Sequence, residues 1–172
     1  MTERRAPVEV YLGLGANLGD RPANIQRALA LLAPVCGPFE CASLYVTPPW
    51  GDLDQPEFLN TVARGATLLG PERLLGRVKE TEAVVGRAPT RRWGPRQIDV
   101  DILSYGEYVI DLPQLQIPHP RLHERGFVLV PLVEIAPQWR HPVLGKTAAE
   151  LLAALAPAET AGIRVWSEGS DE

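Results

Sequence analysis

QIDVDIL, residues 97–103, alternates polar and apolar side chains along its length. A two-residue period is that of a strand with one face buried. Ile98, Val100 and Ile102 take the core face, and Asp99 and Asp101 share the other. The fold follows from what precedes this strand. Pro71 opens a helix, Leu74, Leu75, Val78, Glu82 and Val85 form one stripe along it, and Gly86 stops it. Further upstream, Phe58–Leu68 reads as a strand, and so does Phe39–Val46. TPPWGDLDQP (47–56) lies between them and is rich in Pro and Asp, so it reads as a loop. At the front, Val8–Leu14 is an apolar run ended by glycines, a buried strand. Asp20 then caps a helix, with Pro22 in its first turn and Ile25, Ala28, Leu29 and Leu32 at helical spacing.

The order is therefore β-α-β-β-α-β, the split βαβ or ferredoxin-like arrangement, with helices on a mostly antiparallel sheet. The expected class is α+β, with additional C-terminal elements. Tyr108–Ile110 is a candidate fifth strand, and IPHPRLHERGF (117–127) is irregular. Phe127–Ile135 reads as a helix up to Pro137, with Pro131 near its start. Thr147-Ala-Ala-Glu150 is a capping box, and Leu151, Leu152 and Leu155 follow it. Ile163–Trp166 suits a last edge strand, and the first seven and last six residues read as frayed ends. The expectation is one domain over 1–172, its core at about 8–155, since 172 residues suffice for one domain of ordinary size.

Composition narrows the function. A net charge of −4 argues against a nucleic-acid or anionic-membrane binder. No apolar run is long enough to span a bilayer, and the N-terminus has no signal-peptide core, so a cytoplasmic protein is expected. Cys36 and Cys41 have no metal spacing and read as small hydrophobes.

The chemistry concentrates around residues 86–103. Asp99 and Asp101 place two carboxylates side by side, roughly 6–7 Å apart at Cβ from two strand steps. Like charges so placed repel, and a hard cation such as Mg²⁺ removes the conflict. Spacing alone equally suits an edge strand whose acids deter aggregation. GRAPTRRWGPR (86–96) tips the balance, because Arg87, Arg91, Arg92 and Arg96 fall within it with no acid among them. Arginine's fork suits phosphate oxygens, and a basic loop leading into a two-carboxylate strand is what phosphoryl transfer requires. Trp93 either stacks on a flat ligand or anchors this loop. In TPPW and FLN, the Asn60 amide offers a donor and an acceptor for a heterocycle edge, and Phe58 offers a ring for its face. The plain alternative is a core Phe and a turn Asn. His119 and His123 are four apart, but Pro118 and Pro120 argue against the helix a metal pair would need. His119 or Arg125 on a phosphate is the better reading. Gly145-Lys146-Thr147 is no P-loop, since Arg140 stands where that motif needs Gly. Gly13, Gly15 and Gly19 miss the dinucleotide spacing and read as a tight strand-to-helix turn.

With those residues in view, RWGPRQIDVDIL resembles the 6-hydroxymethyl-7,8-dihydropterin pyrophosphokinase family of folate biosynthesis. YLGLGANLGDR, SLYVTPPWG, FLN and PHPRLHERGFVLVPLVEIAP extend the resemblance in the family's order over roughly residues 8–155. It implies a ferredoxin-like α/β/α sandwich and an ATP-dependent pyrophosphate transfer to the pterin hydroxymethyl group. It implies magnesium, two ions, on Asp99 and Asp101. Arg87, Arg92, Trp93 and Arg96 match the catalytic positions near the ATP phosphates, joined by His119 and Arg125. Leu75, Glu82 and Ile102 match positions around the nucleotide. Phe58 and Phe127 match the rings that sandwich the pterin, and Asn60 the amide reading its edge. Thr47, Pro48, Pro49 and Trp50 match the loop closing over it, with Trp93. Substrates are thus ATP and the pterin, with no nucleic acid or membrane partner, and a monomer is expected. Ala16 stands where the family often has Ser, and Pro89 where many members carry a second arginine, for which Arg91 is the candidate substitute. Another Mg-dependent nucleotidyl- or phosphotransferase using the same Asp pair is the alternative. An RNA-binding ferredoxin-like module lacks its expected aromatic strand motif.

Overall fold

The structure, a computed structural model, describes residues 6–49, 51, 53–86 and 96–168. The first strand, β1 (Val8–Ala16), leads into α1 (Arg21–Cys36), whose first turn is capped by Asp20 accepting from the Ala23 N–H at 3.2 Å. Two short strands follow, β2 (Glu40–Cys41) and β3 (Tyr45–Thr47), then the long β4 (Phe58–Thr67). Helix α2 (Pro71–Val85) ends at Gly86, whose φ of 109° only glycine adopts without strain. β5 (Asp99–Tyr105) completes the unit.

Sheet order is β5-β1-β4-β3-β8, all pairs antiparallel, with β2 also on β4 and the short β8 (Arg164–Val165) at the far edge. Strands one to four of the split βαβ thus lie in the order expected of a ferredoxin-like sheet. After β5 come a hairpin, β6 (Ile110–Leu112) and β7 (Leu115–Ile117), and a 3-10 turn at Leu122–Glu124. Helices α3 (Gly126–Ile135), α4 (Ala148–Ala153) and α5 (Pro157–Thr160) follow. The capping box of α4 forms as read, with the Glu150 N–H donating to the Thr147 hydroxyl at 3.2 Å.

Alternation along the strands sorts side chains into two layers. Val10, Leu12 and Leu14 of β1, Leu59 of β4 and Val100 and Ile102 of β5 pack on Ile25, Ala28 and Leu32 of α1 and Leu74 and Val78 of α2. Full burial of each large apolar side chain stabilises by roughly 1.5–3 kcal/mol. On the opposite face Tyr11, Val62 and Leu103 pack on Leu129 and Leu132 of α3 and Leu151 of α4. The molecule is an α/β/α sandwich. The second helical layer covers only part of its face of the sheet. Gly13, Gly15, Asn60, Asp99 and Asp101 lie beyond it and line a cleft.

Three sequence expectations change. Phe39–Val46 is not one strand: the Ala42 N–H still donates to the Val62 carbonyl of β4 at 2.9 Å, but the Ser43 N–H turns to the Glu134 carboxylate at 2.6 Å, and the Tyr45 hydroxyl donates to the same group at 2.7 Å. An acid on α3 thus outcompetes a sheet partner. The strand expected at Tyr108–Ile110 lies at Ile110–Leu112 and pairs with β7 in a separate two-stranded sheet, which a two-residue turn at Pro113-Gln114 sets in register. Gly13 and Gly15 sit inside β1; the turn itself falls at Gly19, with φ of 67°.

Candidate active site

The cleft floor is made by three adjacent strands. Gly13 pairs with Asp101, and Gly15 pairs with Asp99 on one side and Asn60 on the other. The absence of side chains on β1 leaves room for those of its neighbours. A Cβ at Gly15 would lie 2.3 Å from the Asn60 Oδ1 and 3.7 Å from the Phe58 ring. The Asn60 amide is buried and donates to the Thr47 hydroxyl at 2.7 Å, which fixes its orientation. Pro48 and Phe58 continue that wall, and Phe127 and Val128 of α3 face it. Arg96, Arg125 and the two aspartates line the same cleft.

Arg125 is the cation built most firmly into this site. It is buried, its guanidinium stands 5.3 Å from the Phe127 ring centroid, and its Nη1 lies 3.9 Å from the Asp101 carboxylate. That ion pair is long and leaves the acid only partly compensated. Burial and the Asp99 charge push the Asp101 carboxyl up to about 7, against the lowering pull of Arg125. Asp101 therefore feels a repulsion from Asp99 that Arg125 offsets only in part and that a bound cation would remove.

A second cleft adjoins the first at Asp101. Leu75 and Lys79 of α2, Ile102 of β5, and His119 and Pro120 beyond the hairpin line it. His119 accepts the Arg121 N–H on its Nδ1 at 3.2 Å, so the neutral ring carries its proton on Nε2. Burial, reinforced by the Arg125 charge, pushes this imidazole down to about 4, and it stays neutral at physiological pH.

The structure therefore brings together Thr47, Pro48, Phe58, Asn60, Arg96, Asp99, Asp101, Arg125 and Phe127 in one cleft, and Leu75, Ile102 and His119 in the next. Pro49 is half buried beside Pro48 and lines neither. Glu82 also lines neither. It is 2% exposed beneath β5, where its carboxylate accepts the Val100 N–H at 3.3 Å and pairs with Lys79 at 3.5 Å. Trp50, Arg87, Pro89, Arg91, Arg92 and Trp93 lie outside the described residues. The reading from sequence missed Gly13 and Gly15 as cleft floor and Lys79 as a cation at the second cleft. The signal for the glycines was present: two glycines at alternate positions of a strand remove side chains from one face.

Among the described residues no group of three or more His, Cys, Asp or Glu could hold a metal ion. Asp99 and Asp101 still fit magnesium, which takes one or two protein carboxylates and completes its shell with substrate phosphates and water. The 3.9 Å separation of Arg125 from the Asp101 carboxylate, with Asp99 on the same face of β5, is the structural observation that favours such an ion.

The ferredoxin-like scaffold carries two adjoining clefts lined by arginines, a lysine and paired acids. A family model described as 7,8-dihydro-6-hydroxymethylpterin-pyrophosphokinase (HPPK) matches residues 11–137, and the chain belongs to that family. A protein of Methylorubrum extorquens named 2-amino-4-hydroxy-6-hydroxymethyldihydropteridine pyrophosphokinase is 46% identical over 149 residues, covering 86% of this chain and 93% of the relative. One of the same name from Aquifex aeolicus is 42% identical over 137 residues, covering 80% and 86%. Among solved structures, wild-type HPPK-DHPS of Plasmodium falciparum with pteroate superposes with a TM-score of 0.70 at 17% identity, over 89% of this chain. This chain spans 43% of that longer one, and the likeness concerns the fold alone.

Proposed function

We propose that the chain transfers the pyrophosphate group of ATP to the hydroxymethyl group of 6-hydroxymethyl-7,8-dihydropterin, a step of folate biosynthesis. The observation that carries this reading is the composition of one cleft. The Asn60 amide, the Phe58 and Phe127 rings, the two carboxylates and two arginines all line it, with Asn60 and Asp99 on either side of Gly15. The pterin ring lies between Phe58 and Phe127, with the Asn60 amide on its edge. Its hydroxymethyl group then points across β1 toward Asp99 and Asp101. ATP takes the second cleft, with its base against Leu75 and Ile102. Neutral His119 offers its Nε2–H as a donor, and Lys79 flanks the phosphate path. Arg96 and Arg125 hold phosphate oxygens.

The hydroxyl oxygen attacks the β-phosphorus in line. The bond from that phosphorus to the bridging α-oxygen breaks, AMP leaves, and the hydroxyl proton is released. Magnesium, two ions in this reading, is held by Asp99 and Asp101 and supplies charge neutralisation for the phosphates. Positioning by the two clefts and neutralisation by arginine supply most of the remaining acceleration. The protein works as a single-domain monomer over residues 1–172, in the cytoplasm. Phosphorus NMR of a mixture with ATP, Mg²⁺ and the pterin tests the reading: AMP and a pterin diphosphate are expected, and free pyrophosphate without a pterin diphosphate would refute it.

A further inference from the structure

The segments that border the cleft meet at one side chain outside it. Asn17 directly follows β1 and is 3% exposed. Its Nδ2 donates to the Gln55 Oε1 at 2.9 Å and to the Pro56 carbonyl at 3.0 Å. Its Oδ1 accepts the Arg96 N–H at 2.8 Å. The backbone N–H groups of Asn17 and Leu18 both donate to the Arg96 carbonyl, at 3.0 and 3.2 Å. One planar amide thus spends both donors on one segment and its acceptor on another. Pro56 lies two residues before Phe58, and Arg96 lies three before Asp99. Asn17 does not line either cleft.

We propose that Asn17 is a positioning residue that couples the nucleotide subsite to the pterin subsite. The proposal rests on the functional reading above. Phosphates drawn to the Arg96 guanidinium fix the backbone at Arg96. The Arg96 N–H holds the Asn17 side-chain oxygen, the Arg96 carbonyl holds the backbone of Asn17 and Leu18, and the Asn17 amide in turn holds residues 55–56 ahead of the Phe58 ring. A buried amide has no alternative partners in water, so displacement at one end is felt at the other. Coupling of this kind is reciprocal, and each substrate must tighten the other by the same factor.

The test uses the full chain, Mg²⁺, an ATP analogue with a methylene group between its α- and β-phosphorus, and 6-hydroxymethyl-7,8-dihydropterin. Calorimetry gives the affinity of each ligand alone and with the other present. Wild type shows pterin binding tightened by nucleotide, and the reverse by an equal factor. Asn17→Ser lowers that factor by roughly tenfold, the scale of one or two buried hydrogen bonds, and changes each affinity measured alone by less than about threefold. Gln55→Ala removes the bond that Asn17 donates to Gln55, at a half-buried loop position, and gives a smaller loss in the same direction; it decides the matter if Asn17→Ser does not fold. An unchanged coupling factor in a folded variant overturns the proposal. So does a wild type that binds pterin equally with and without nucleotide, or variants that only lower Tm. A wild type that neither binds the pterin nor transfers to it overturns the functional reading itself, a result distinguishable from the others.

Discussion

Asp101 ties the electrostatics of the site to its chemistry. Its carboxyl is pushed up to about 7 by burial and by Asp99. A carboxylate raised above its unfolded value contributes stability at low pH and loses it as pH rises through the folded value. The metal-free protein is therefore strained at this position at pH 8. Asp101→Asn should raise Tm there in the presence of chelator and have little effect near pH 4, while cutting turnover with Mg²⁺ by on the order of a hundredfold or more. Thermal scans at both pH values, with an activity assay, check this; near-normal activity would remove Asp101 from the metal site. His119 works in the opposite direction. Its imidazole is pushed down to about 4, so protonation is resisted in the fold but not in the unfolded chain. Stability from this residue is present above about pH 6.5 and is lost as pH falls toward 4. His119→Gln should flatten that part of the Tm profile relative to wild type, and parallel profiles would contradict the assignment.

At the scale of elements, β1 matters for what it lacks. Gly15 sits between Asp99 and Asn60, and an alanine there would place a methyl 2.3 Å from the Asn60 oxygen. Gly15→Ala should displace the amide, raise the pterin KM by roughly tenfold, the scale of a lost hydrogen bond, and leave the KM for ATP near its original value. Steady-state kinetics with each substrate varied separates the two. The far edge of the sheet gives a contrasting case. Arg164 of β8 meets the Glu57 carboxylate at 3.2 and 3.3 Å, next to Phe58, but both side chains are half exposed. Exposed pairs are worth about 0–1 kcal/mol, so Arg164→Gln should lower Tm by no more than about 4 °C, as read by calorimetry. The secondary structure was legible where periodicity and capping agreed, as in α1, α2 and α4. It was not legible at Ala42–Leu44, because the partner that breaks the strand, Glu134, is ninety residues away. Local pattern carries no information about such a competitor. β6 was placed two residues early and its partner β7 was not foreseen, because these strands are three residues each, too short for alternation to register.

At the scale of the molecule, two layers of unequal extent produce the function. Helices α1 and α2 bury one face of the sheet, and α3 and α4 bury only part of the other. The open part carries the aspartates, the amide and the glycine floor. The acids and the amide could be found in the sequence because strand alternation fixes which residues share a face. Their mutual placement could not, since Gly15 adjoins both Asp99 and Asn60 only through long-range pairing. Glu82 shows the limit of a match by motif: its position on the stripe was right, and it faces the core beneath β5. In the reaction proposed above, two phosphoryl groups move together to the pterin. ATP labelled at the β-phosphorus, and separately at the γ-phosphorus, tests this directly with product isolated at early times. Both labels should enter the pterin at equal rates with AMP as the other product; γ-label alone, or an AMP-bearing pterin, would contradict it.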